Sequence, residues 1–248
     1  MLEMRHVSKT YGAGAAWASG RGAGSAEVRA LRDVDLAVEP GRLVAVMGPS
    51  GSGKSTLLAI AGTLEQPTAG EILIDGIDIT SLSKSKRARL RRREIGYVFQ
   101  DFNLLPGLTA AENVALPLEL DGAGGRKARI AGMRLLDELG LGDRAHRYPS
   151  QLSGGERQRV AVARAMAGER RLLLADEPSG SLDTLSGEAV MRLVRRACKR
   201  GMAAVMVTHD AQFAAWADRV VFLSDGRMID ETAPLDGPES LLGGANAA

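Results

Sequence analysis

Hydrophobic residues occur along this chain in short runs separated by longer periodic stretches. The runs occupy positions 42–47, 95–99, 171–175, 202–207 and 219–223, and several of them are apolar almost throughout. A strand that is apolar on both faces needs helices on both sides of its sheet. Strands that alternate with helical stretches are typical of parallel sheets. The pattern therefore predicts an α/β fold built on a mainly parallel sheet.

One segment near the N-terminus alternates instead. Within residues 28–38, Val34, Leu36 and Val38 are separated by acidic or small residues. A two-residue alternation is typical of an antiparallel strand with one buried and one solvated face. It predicts an N-terminal antiparallel β-subdomain, in which this strand pairs with the first residues of the chain.

A helical segment interrupts the α/β pattern. Residues 107–150 contain no convincing strand, but the stretches 110–116 and 126–139 have helical spacing. We therefore expect an α-helical subdomain, at about residues 101–168, to be inserted into the α/β core.

The remaining segments define the domain organisation. A single domain is expected over residues 1–236, and the mostly small or polar residues 237–248 are expected to form a C-terminal tail. Residues 12–27 are rich in Gly, Ala and Ser and predict a flexible loop. Trp17 in that loop either rests on the nearest apolar surface or contacts a partner.

The composition suits a folded protein. Of 248 residues, 45% are hydrophobic and 25% are charged, and the formal net charge is only +2. This charge gives no general attraction to nucleic acid, which is not expected as a partner. The longest apolar run, 202–207, is far shorter than the about 20 residues of a membrane-spanning helix. Because the first residues also lack the features of a secretory signal, we expect a cytoplasmic protein.

A glycine-rich loop follows the first run. Residues 48–55 read GPSGSGKS and fit the spacing G-x-x-x-x-G-K-[ST] between a strand and a helix. Glycines let the backbone amides close around a phosphate, and the helix N-terminus adds positive potential there. Lys54 is expected to reach the β- and γ-phosphates, and the Ser55 hydroxyl to bind Mg²⁺. The predicted nucleotide-binding residues of this loop are Gly48, Pro49, Ser50, Gly51, Ser52, Gly53, Lys54, Ser55 and Thr56.

Two acidic residues, Asp176 and Glu177, directly follow an apolar run. The carboxyl end of a strand is where ligands bind in open α/β sheets. Such a pair is often only a turn or a helix cap. With a phosphate loop upstream, it predicts that Asp176 holds Mg²⁺ and that Glu177 orients or deprotonates a water molecule attacking the γ-phosphate.

A second candidate anion site precedes another helical stretch. Ser153, Gly154 and Gly155 stand at the start of that stretch, where backbone amides can form a nest. An N-cap with a glycine turn is the simpler interpretation. One nucleotide needs only one cradle, so a second cradle requires an explanation.

The segment LSGGERQ, residues 152–158, resembles the signature motif of ATP-binding cassette (ABC) ATPases, and the resemblance extends over residues 2–230. It implies a P-loop ATPase core that binds and hydrolyses ATP with Mg²⁺. In that family two subunits pair head to tail, and the signature of one covers the γ-phosphate held by the other. The resemblance therefore implies an ATP-dependent homodimer, or a pair with a related ATPase subunit.

Four further residues match positions of that family. Tyr11 matches the aromatic residue that stacks on adenine, and Gln100 matches the glutamine that senses Mg²⁺ and the attacking water. Asp183 matches the loop that crosses the dimer interface. His209 matches the switch histidine that contacts the γ-phosphate, although a lone histidine after a strand is more often a loop or cap residue. The resemblance thus implies a catalytic set of Glu177, His209 and Gln100, and a Mg²⁺ set of Ser55, Gln100 and Asp176.

The segments DFNLLP (101–106) and LTAAENV (108–114) resemble the branch that serves lipoprotein release, macrolide or peptide export and cell division. This resemblance implies a cytoplasmic subunit bound to integral membrane permease subunits at the inner face of the cell membrane. Two alternatives stay open: a soluble ABC ATPase that acts on ribosomes or nucleic acid, and a scaffold that binds ATP without turnover. The single cassette argues against the first, and Glu177 argues against the second.

The charge run 84–93 and Trp216 are expected to have structural roles. The charge run 84–93, KSKRARLRRR, is expected to be a solvated helix face, with anionic lipid headgroups or nucleic acid as alternative contacts. Trp216 has helical spacing with its apolar neighbours and is expected to lie in the core.

Overall fold

The computed structural model describes residues 1–12, 27–178, 180 and 182–232. Trp17 and the predicted tail 237–248 lie outside these residues, as does all of the Gly/Ala-rich loop except its two ends. Among the described residues, no helix has both the length and the hydrophobicity needed to cross a bilayer.

The strands form two sheets. The four-stranded antiparallel sheet has the order β2-β1-β4-β5 and contains β1 (Leu2–Tyr11), β2 (Val28–Val38), β4 (Ala69–Ile74) and β5 (Ile77–Asp78). The six-stranded sheet has the order β10-β9-β3-β8-β7-β6 and contains β3 (Leu43–Met47), β6 (Ile95–Val98), β7 (Leu172–Asp176), β8 (Ala203–Val207), β9 (Arg219–Ser224) and β10 (Arg227–Thr232). Its strands are parallel except β10, which runs antiparallel to β9.

The predicted strands are confirmed. Each of the five apolar runs is a strand of the larger sheet, with bounds within one residue of those predicted. Strand β2 pairs with β1 in antiparallel register, with Val34 opposite Val7 and Leu36 opposite Met4. The fold is therefore α/β with an N-terminal antiparallel sheet, as the hydrophobic pattern indicates.

The helices surround the larger sheet. They are α1 (Lys54–Ala61), α2 (Lys84–Glu94), α3 (Ala110–Leu120), α4 (Gly125–Glu138), α5 (Gly154–Met166), α6 (Thr184–Lys199) and α7 (Ala211–Ala214). Helices α3, α4 and α5 lie between β6 and β7, where the sequence predicts a helical insertion. Helix α3 continues through Pro117, past the predicted limit at 116, and Leu118 beyond the proline still packs against the core.

The larger sheet is buried on both faces. On one face its side chains pack with the antiparallel sheet and α1, and on the other with the helical insertion and α6. Strand β7 shows why its run is apolar throughout: Leu172 and Leu174 point into the first cluster, while Leu173 and Ala175 belong to the second. A strand with two covered faces has no position for a solvated side chain.

The structure also shows the surroundings of the basic run 84–93 and of Trp216. The basic run forms α2, which has no buried residue, although Arg91 donates to Thr63 O at 2.9 Å and Arg92 pairs with Asp121 at 2.9 Å. Trp216 follows α7 and is only half-buried, but its side chain packs against the core.

The order of the parallel strands determines where the functional side chains meet. Strands β3, β8, β7 and β6 are neighbours and point the same way, so their carboxyl ends lie at one edge. The phosphate loop follows β3, His209 follows β8, Glu177 follows β7 and Gln100 follows β6. Segments far apart in sequence are therefore brought to a single sheet edge.

Candidate nucleotide-binding site

The phosphate loop has a backbone that only glycine adopts without strain. Gly53, which caps α1, has φ +106°, and Gly48 has φ +150°. A Cβ on Gly53 would lie 2.3 Å from the carbonyl oxygen of Ala30, and one on Gly48 would meet the carbonyl oxygen of Leu223 at 2.0 Å. These glycines are required both by conformation and by the close approach of neighbouring backbone.

Lys54 lies inside the loop. Its Nζ donates to the carbonyl oxygens of Gly48 and Pro49, both at 2.8 Å. Lys54 is also the first residue of α1, so its ammonium group adds to the positive potential of the helix N-terminus. The loop therefore presents backbone amides and a cation to the same small volume, which suits a polyphosphate.

Asp176 is the last residue of β7 and is only 8% exposed. Burial raises the pKa of its carboxyl group, and a hydrogen bond with Ser55 partly opposes that shift. The hydroxyl of Ser55 and the carboxylate of Asp176 thus lie together at the foot of the phosphate loop. Both are oxygen donors of the kind that a hard divalent cation prefers.

Glu177 has a left-handed backbone, with φ +50°, directly before Pro178. Its Oε1 lies 2.8 Å from Nδ1 of His209, and its carboxylate raises the pKa of that imidazole through this hydrogen bond and through its charge. The other oxygen, Oε2, is buried without a hydrogen-bond partner in the described structure. The carboxylate is therefore oriented through one oxygen, while the second retains its capacity to accept a proton.

These residues share one cleft of about 490 Å³. Of the site residues predicted from the sequence, the following line the cleft: Gly48, Ser50, Gly51, Gly53, Lys54, Ser55, Thr56, Gln100, Asp176, Glu177 and His209. Of the loop residues, Pro49 and Ser52 are not part of this lining as far as the structure describes it, and Ser52 is buried. The catalytic and metal-binding sets predicted from the sequence thus converge on the phosphate loop.

The second anion nest is a separate site. Ser153 caps α5: its Oγ accepts from the Glu156 amide at 3.2 Å, and Glu156 Oε2 accepts from the Ser153 amide at 2.8 Å. Glu156 also pairs with Arg144 at 2.9 Å. Among the described residues, the lining of the 490 Å³ cleft includes neither Ser153 nor the two glycines that follow it. The structure thus shows Ser153 as the N-cap of α5 with a capping box to Glu156, at a helix start separate from the phosphate loop.

Tyr11 lies at the margin of the cleft. Its hydroxyl donates to Glu65 Oε2 at 2.7 Å and is also hydrogen-bonded to Thr56, which lines the cleft. The ammonium of Lys9 lies 4.9 Å from the centre of its ring. Burial and the hydrogen bond to Glu65 raise the pKa of Tyr11 to about 12. The aromatic ring is thus held in place beside the first turn of α1.

Asp183 caps α6. Its carboxylate accepts from the amide and from the hydroxyl of Ser186, both at 2.9 Å, and the backbone hydrogen bond lowers the pKa of Asp183. Within the described chain it is not among the cleft residues. Its position at a helix start is what an N-cap requires.

Several residues of the cleft have no motif that predicts them from the sequence. Arg29 and Arg32 of β2 line it, together with Asp225 and Gly226 in the turn between β9 and β10. The amide of Gly226 donates to Ser52 O at 3.0 Å, and Arg32 N donates to Gly226 O at 2.7 Å. An Asp-Gly pair between two apolar runs is a hairpin signal, but nothing local indicates that the hairpin touches the phosphate loop.

The family model described as ABC transporter matches residues 31–180, more than half of this chain. The chain belongs to the ABC transporter family. It is thus an ATP-binding cassette with ATPase activity, and the phosphate loop, the acidic pair and the LSGGE segment are the parts of the cassette described above.

This ABC cassette is similar to subunits of two kinds of system. It is 43% identical over 237 residues to the lipoprotein-releasing system ATP-binding protein LolD of Shewanella frigidimarina, which covers 94% of this chain and 95% of that protein. It is 41% identical over 232 residues to the macrolide export ATP-binding/permease protein MacB of Marinobacter nauticus, covering 94% of this chain. It spans only 34% of the length of that MacB.

A solved cassette has the same fold. The ATP-binding cassette MJ0796, in a dimeric post-hydrolysis state bound to ADP and Pi, superposes with a TM-score of 0.87 at 40% identity. The match covers 96% of this chain and 100% of that one. The LolD and MacB relatives confirm the predicted resemblance to the lipoprotein-release and macrolide-export branch.

Proposed function

We propose that this ABC cassette drives an integral membrane permease through ATP-dependent, head-to-tail pairing of two copies, or of one copy with a related ATPase subunit. One observation supports the proposal: the phosphate loop and the Ser153–Gly155 nest both stand at helix N-termini, where backbone amides suit an anion, yet among the described residues only the loop lines the cleft. Because one nucleotide needs one cradle, the nest of each chain serves the γ-phosphate bound by its neighbour.

Within one chain, the phosphate loop binds the triphosphate through its backbone amides. Lys54 exchanges its contacts with Gly48 O and Pro49 O for the β- and γ-phosphates, which lie within reach of its ammonium group. The adenine stacks on Tyr11 at the margin of the cleft. The triphosphate tail then points toward the sheet edge that carries Asp176 and Glu177.

The residues at the foot of the loop fit a Mg²⁺ ion. Ser55, Asp176 and Gln100 line one cleft and each carries a side-chain oxygen, which is the donor that Mg²⁺ prefers. When bound, Mg²⁺ neutralises charge that develops on the phosphate oxygens. The chain's own part is to hold these oxygen donors close to the N-terminus of α1.

Hydrolysis uses the free oxygen of the Glu177 carboxylate. Glu177 takes a proton from a water molecule, whose oxygen forms a bond to the γ-phosphorus. The bond from that phosphorus to the β–γ bridging oxygen breaks, and ADP leaves with the electron pair. His209 orients Glu177 through its Nδ1 contact and lies where it can contact the γ-phosphate.

The expected partner follows from the similar proteins. LolD is named as the ATP-binding protein of a lipoprotein-releasing system, and MacB is named as a combined ATP-binding and permease protein. The match covers 34% of that MacB, whose name combines an ATP-binding and a permease function, and we infer that this cassette also acts with a permease. We therefore place the cassette on the cytoplasmic face of the cell membrane, attached through that permease.

Two measurements test the proposal. The purified chain should release phosphate from ATP in a Mg²⁺-dependent reaction, and Lys54→Ala should abolish that release because it removes the cation of the phosphate loop. In parallel, an affinity-tagged copy extracted from membranes in mild detergent should retain a polytopic membrane protein in a fixed ratio. Recovery with ribosomes or nucleic acid instead would support the alternative of a soluble ABC ATPase.

A further inference from the structure

A buried side chain of α5 contacts the backbone of Glu177, the residue that directly follows β7. Gln158, four residues beyond the start of the helix, is only 2% exposed, and its Nε2 donates to the carbonyl oxygen of Glu177 at 2.6 Å. Burying an amide donor costs free energy of folding unless the donor is hydrogen-bonded. Its partner here is the backbone of the residue to which we assign the base function.

Glu177 needs such support. A non-glycine residue at φ +50° directly before a proline is in an unfavourable conformation, which persists only where the surroundings impose it. Three hydrogen bonds to the backbone of Glu177 impose this conformation. Glu177 N donates to Val207 O at 3.0 Å, and Gly180 N donates to Glu177 O at 3.2 Å. The side-chain Nε2 of Gln158 donates to the same oxygen. The first two come from β8 and from the local turn, whereas Gln158 comes from the signature helix.

The Ser153–Gly155 nest and Gln158 lie within about one turn of each other on α5. The Ser153–Gly155 nest forms the N-terminus of α5, and Gln158 follows on the next turn of the same helix. A continuous helix transmits a shift of its first turn to the side chains of its second. Moving the nest therefore moves the group that holds the backbone of Glu177.

We propose that Gln158 is a positioning residue that ties the signature nest of each chain to its own base Glu177. Engagement of the nest by the neighbour's nucleotide thereby favours hydrolysis of the nucleotide that the chain itself holds. Gln158 touches neither ATP nor the attacking water; it acts through the backbone of Glu177. This inference rests on the proposed pairing of two cassettes.

The test removes the amide donor of Gln158 and keeps a side chain of similar length. In Gln158→Met, kcat for ATP should fall by between about tenfold and about a hundredfold, because a base displaced by a fraction of an ångström loses its alignment. KM for ATP should stay within about twofold, since the phosphate loop is untouched. Gln151→Met is the matched control: Gln151 also hydrogen-bonds backbone next to the signature, at Tyr148 N, but is exposed and does not contact Glu177. Its kcat should match the wild type.

A second variant separates positioning from folding. In Gln158→Glu, a protonated carboxyl can donate to Glu177 O but a carboxylate cannot, so kcat relative to the wild type should rise as the pH falls from about 8 to about 6. In the Glu177→Gln background, Gln158→Met should cause no further loss of rate, because the base is already absent. The same double variant should still dimerise with ATP.

The outcomes are distinct. Wild-type kcat in Gln158→Met, or an equal further loss of rate in the Glu177→Gln background, would overturn the inference while leaving the proposed function intact. So would a rise in KM with unchanged kcat, which would place Gln158 in nucleotide binding. Absence of ATP hydrolysis by the wild-type chain would instead remove the proposed function itself.

Discussion

Nδ1 of His209 lies 2.8 Å from Oε1 of Glu177 at the edge of the nucleotide cleft. The two side chains differ in environment, because His209 is 76% exposed and Glu177 only 17%. The contact engages one carboxylate oxygen, and the other is buried without a partner in the described structure. A carboxylate that is fixed through one oxygen and keeps its second oxygen unpaired can accept a proton from a water molecule in a defined position.

Glu177→Gln should therefore stop turnover without preventing binding. An amide cannot take a proton from water, so kcat should fall at least about a hundredfold, while ATP binding is retained. In the proposed pairing, hydrolysis is the step that separates the two cassettes, so the variant should accumulate as an ATP-bound dimer. Phosphate release and size-exclusion chromatography with ATP measure the two effects. Normal turnover would rule out Glu177 as the base.

The contact between the two residues should be visible in a titration. The hydrogen bond and charge of Glu177 raise the pKa of His209 above the ordinary value of 6.5. A histidine with a raised pKa contributes stability that is fully present below its unfolded value and is lost as the pH rises through its folded value. NMR titration should give His209 a pKa above 6.5, and Glu177→Gln should bring it back toward that value. Identical titration curves in the two proteins would show that the contact is absent in solution.

The turn between β9 and β10 should affect ATP binding. Gly226 has φ +76°, and a Cβ there would lie 2.7 Å from the carbonyl oxygen of Ala30. The Gly226 amide also donates to the carbonyl oxygen of Ser52 in the phosphate loop. Gly226→Ala should therefore raise KM for ATP as well as destabilise the fold.

Gly76→Ala is the matched control for that substitution. Gly76 has φ +74° in the turn between β4 and β5, and a Cβ there would meet no atom within 4 Å. It should cost only the left-handed backbone penalty of about 1–2 kcal/mol in unfolding free energy, with KM unchanged. Chemical denaturation and ATPase kinetics compare the two variants. If both leave KM unchanged, the β9–β10 turn does not position the phosphate loop.

The strands of the larger sheet could be predicted because burial on both faces leaves an unbroken apolar run. Strand β4 could not: its sequence AGEILI begins with three exposed residues, including a glycine and a glutamate. Its pairing with β1, rather than its own pattern, makes it a strand. A strand whose own residues are polar or small is specified by its neighbours more than by its local sequence.

The site was predictable where its chemistry is local. The loop around Lys54, the acids after β7 and the nest at Ser153 are each encoded in a few consecutive residues. The Gln158–Glu177 hydrogen bond and the contact of Gly226 with Ser52 join segments 19 and about 170 residues apart. No local pattern records such a contact, since a glutamine in a helix and a glycine in a hairpin have many ordinary uses.

The role of Tyr11 can be separated from its hydrogen bond. Stacking of a base on an aromatic ring contributes about 1–3 kcal/mol, so Tyr11→Ala should raise KM for ATP by roughly 5- to 150-fold. Its effect on kcat at saturating ATP should be small, because the ring lies away from the phosphates.

Tyr11→Phe keeps the ring and removes the hydroxyl that donates to Glu65. If the ring carries the binding energy, this variant should bind ATP almost as tightly as the wild type. GTP provides a further comparison, since stacking tolerates any base and Tyr11→Ala should weaken both nucleotides alike. If Tyr11→Ala lowers only kcat, or if Tyr11→Phe raises KM as much as Tyr11→Ala, the hydroxyl network and not adenine stacking is the function of this residue.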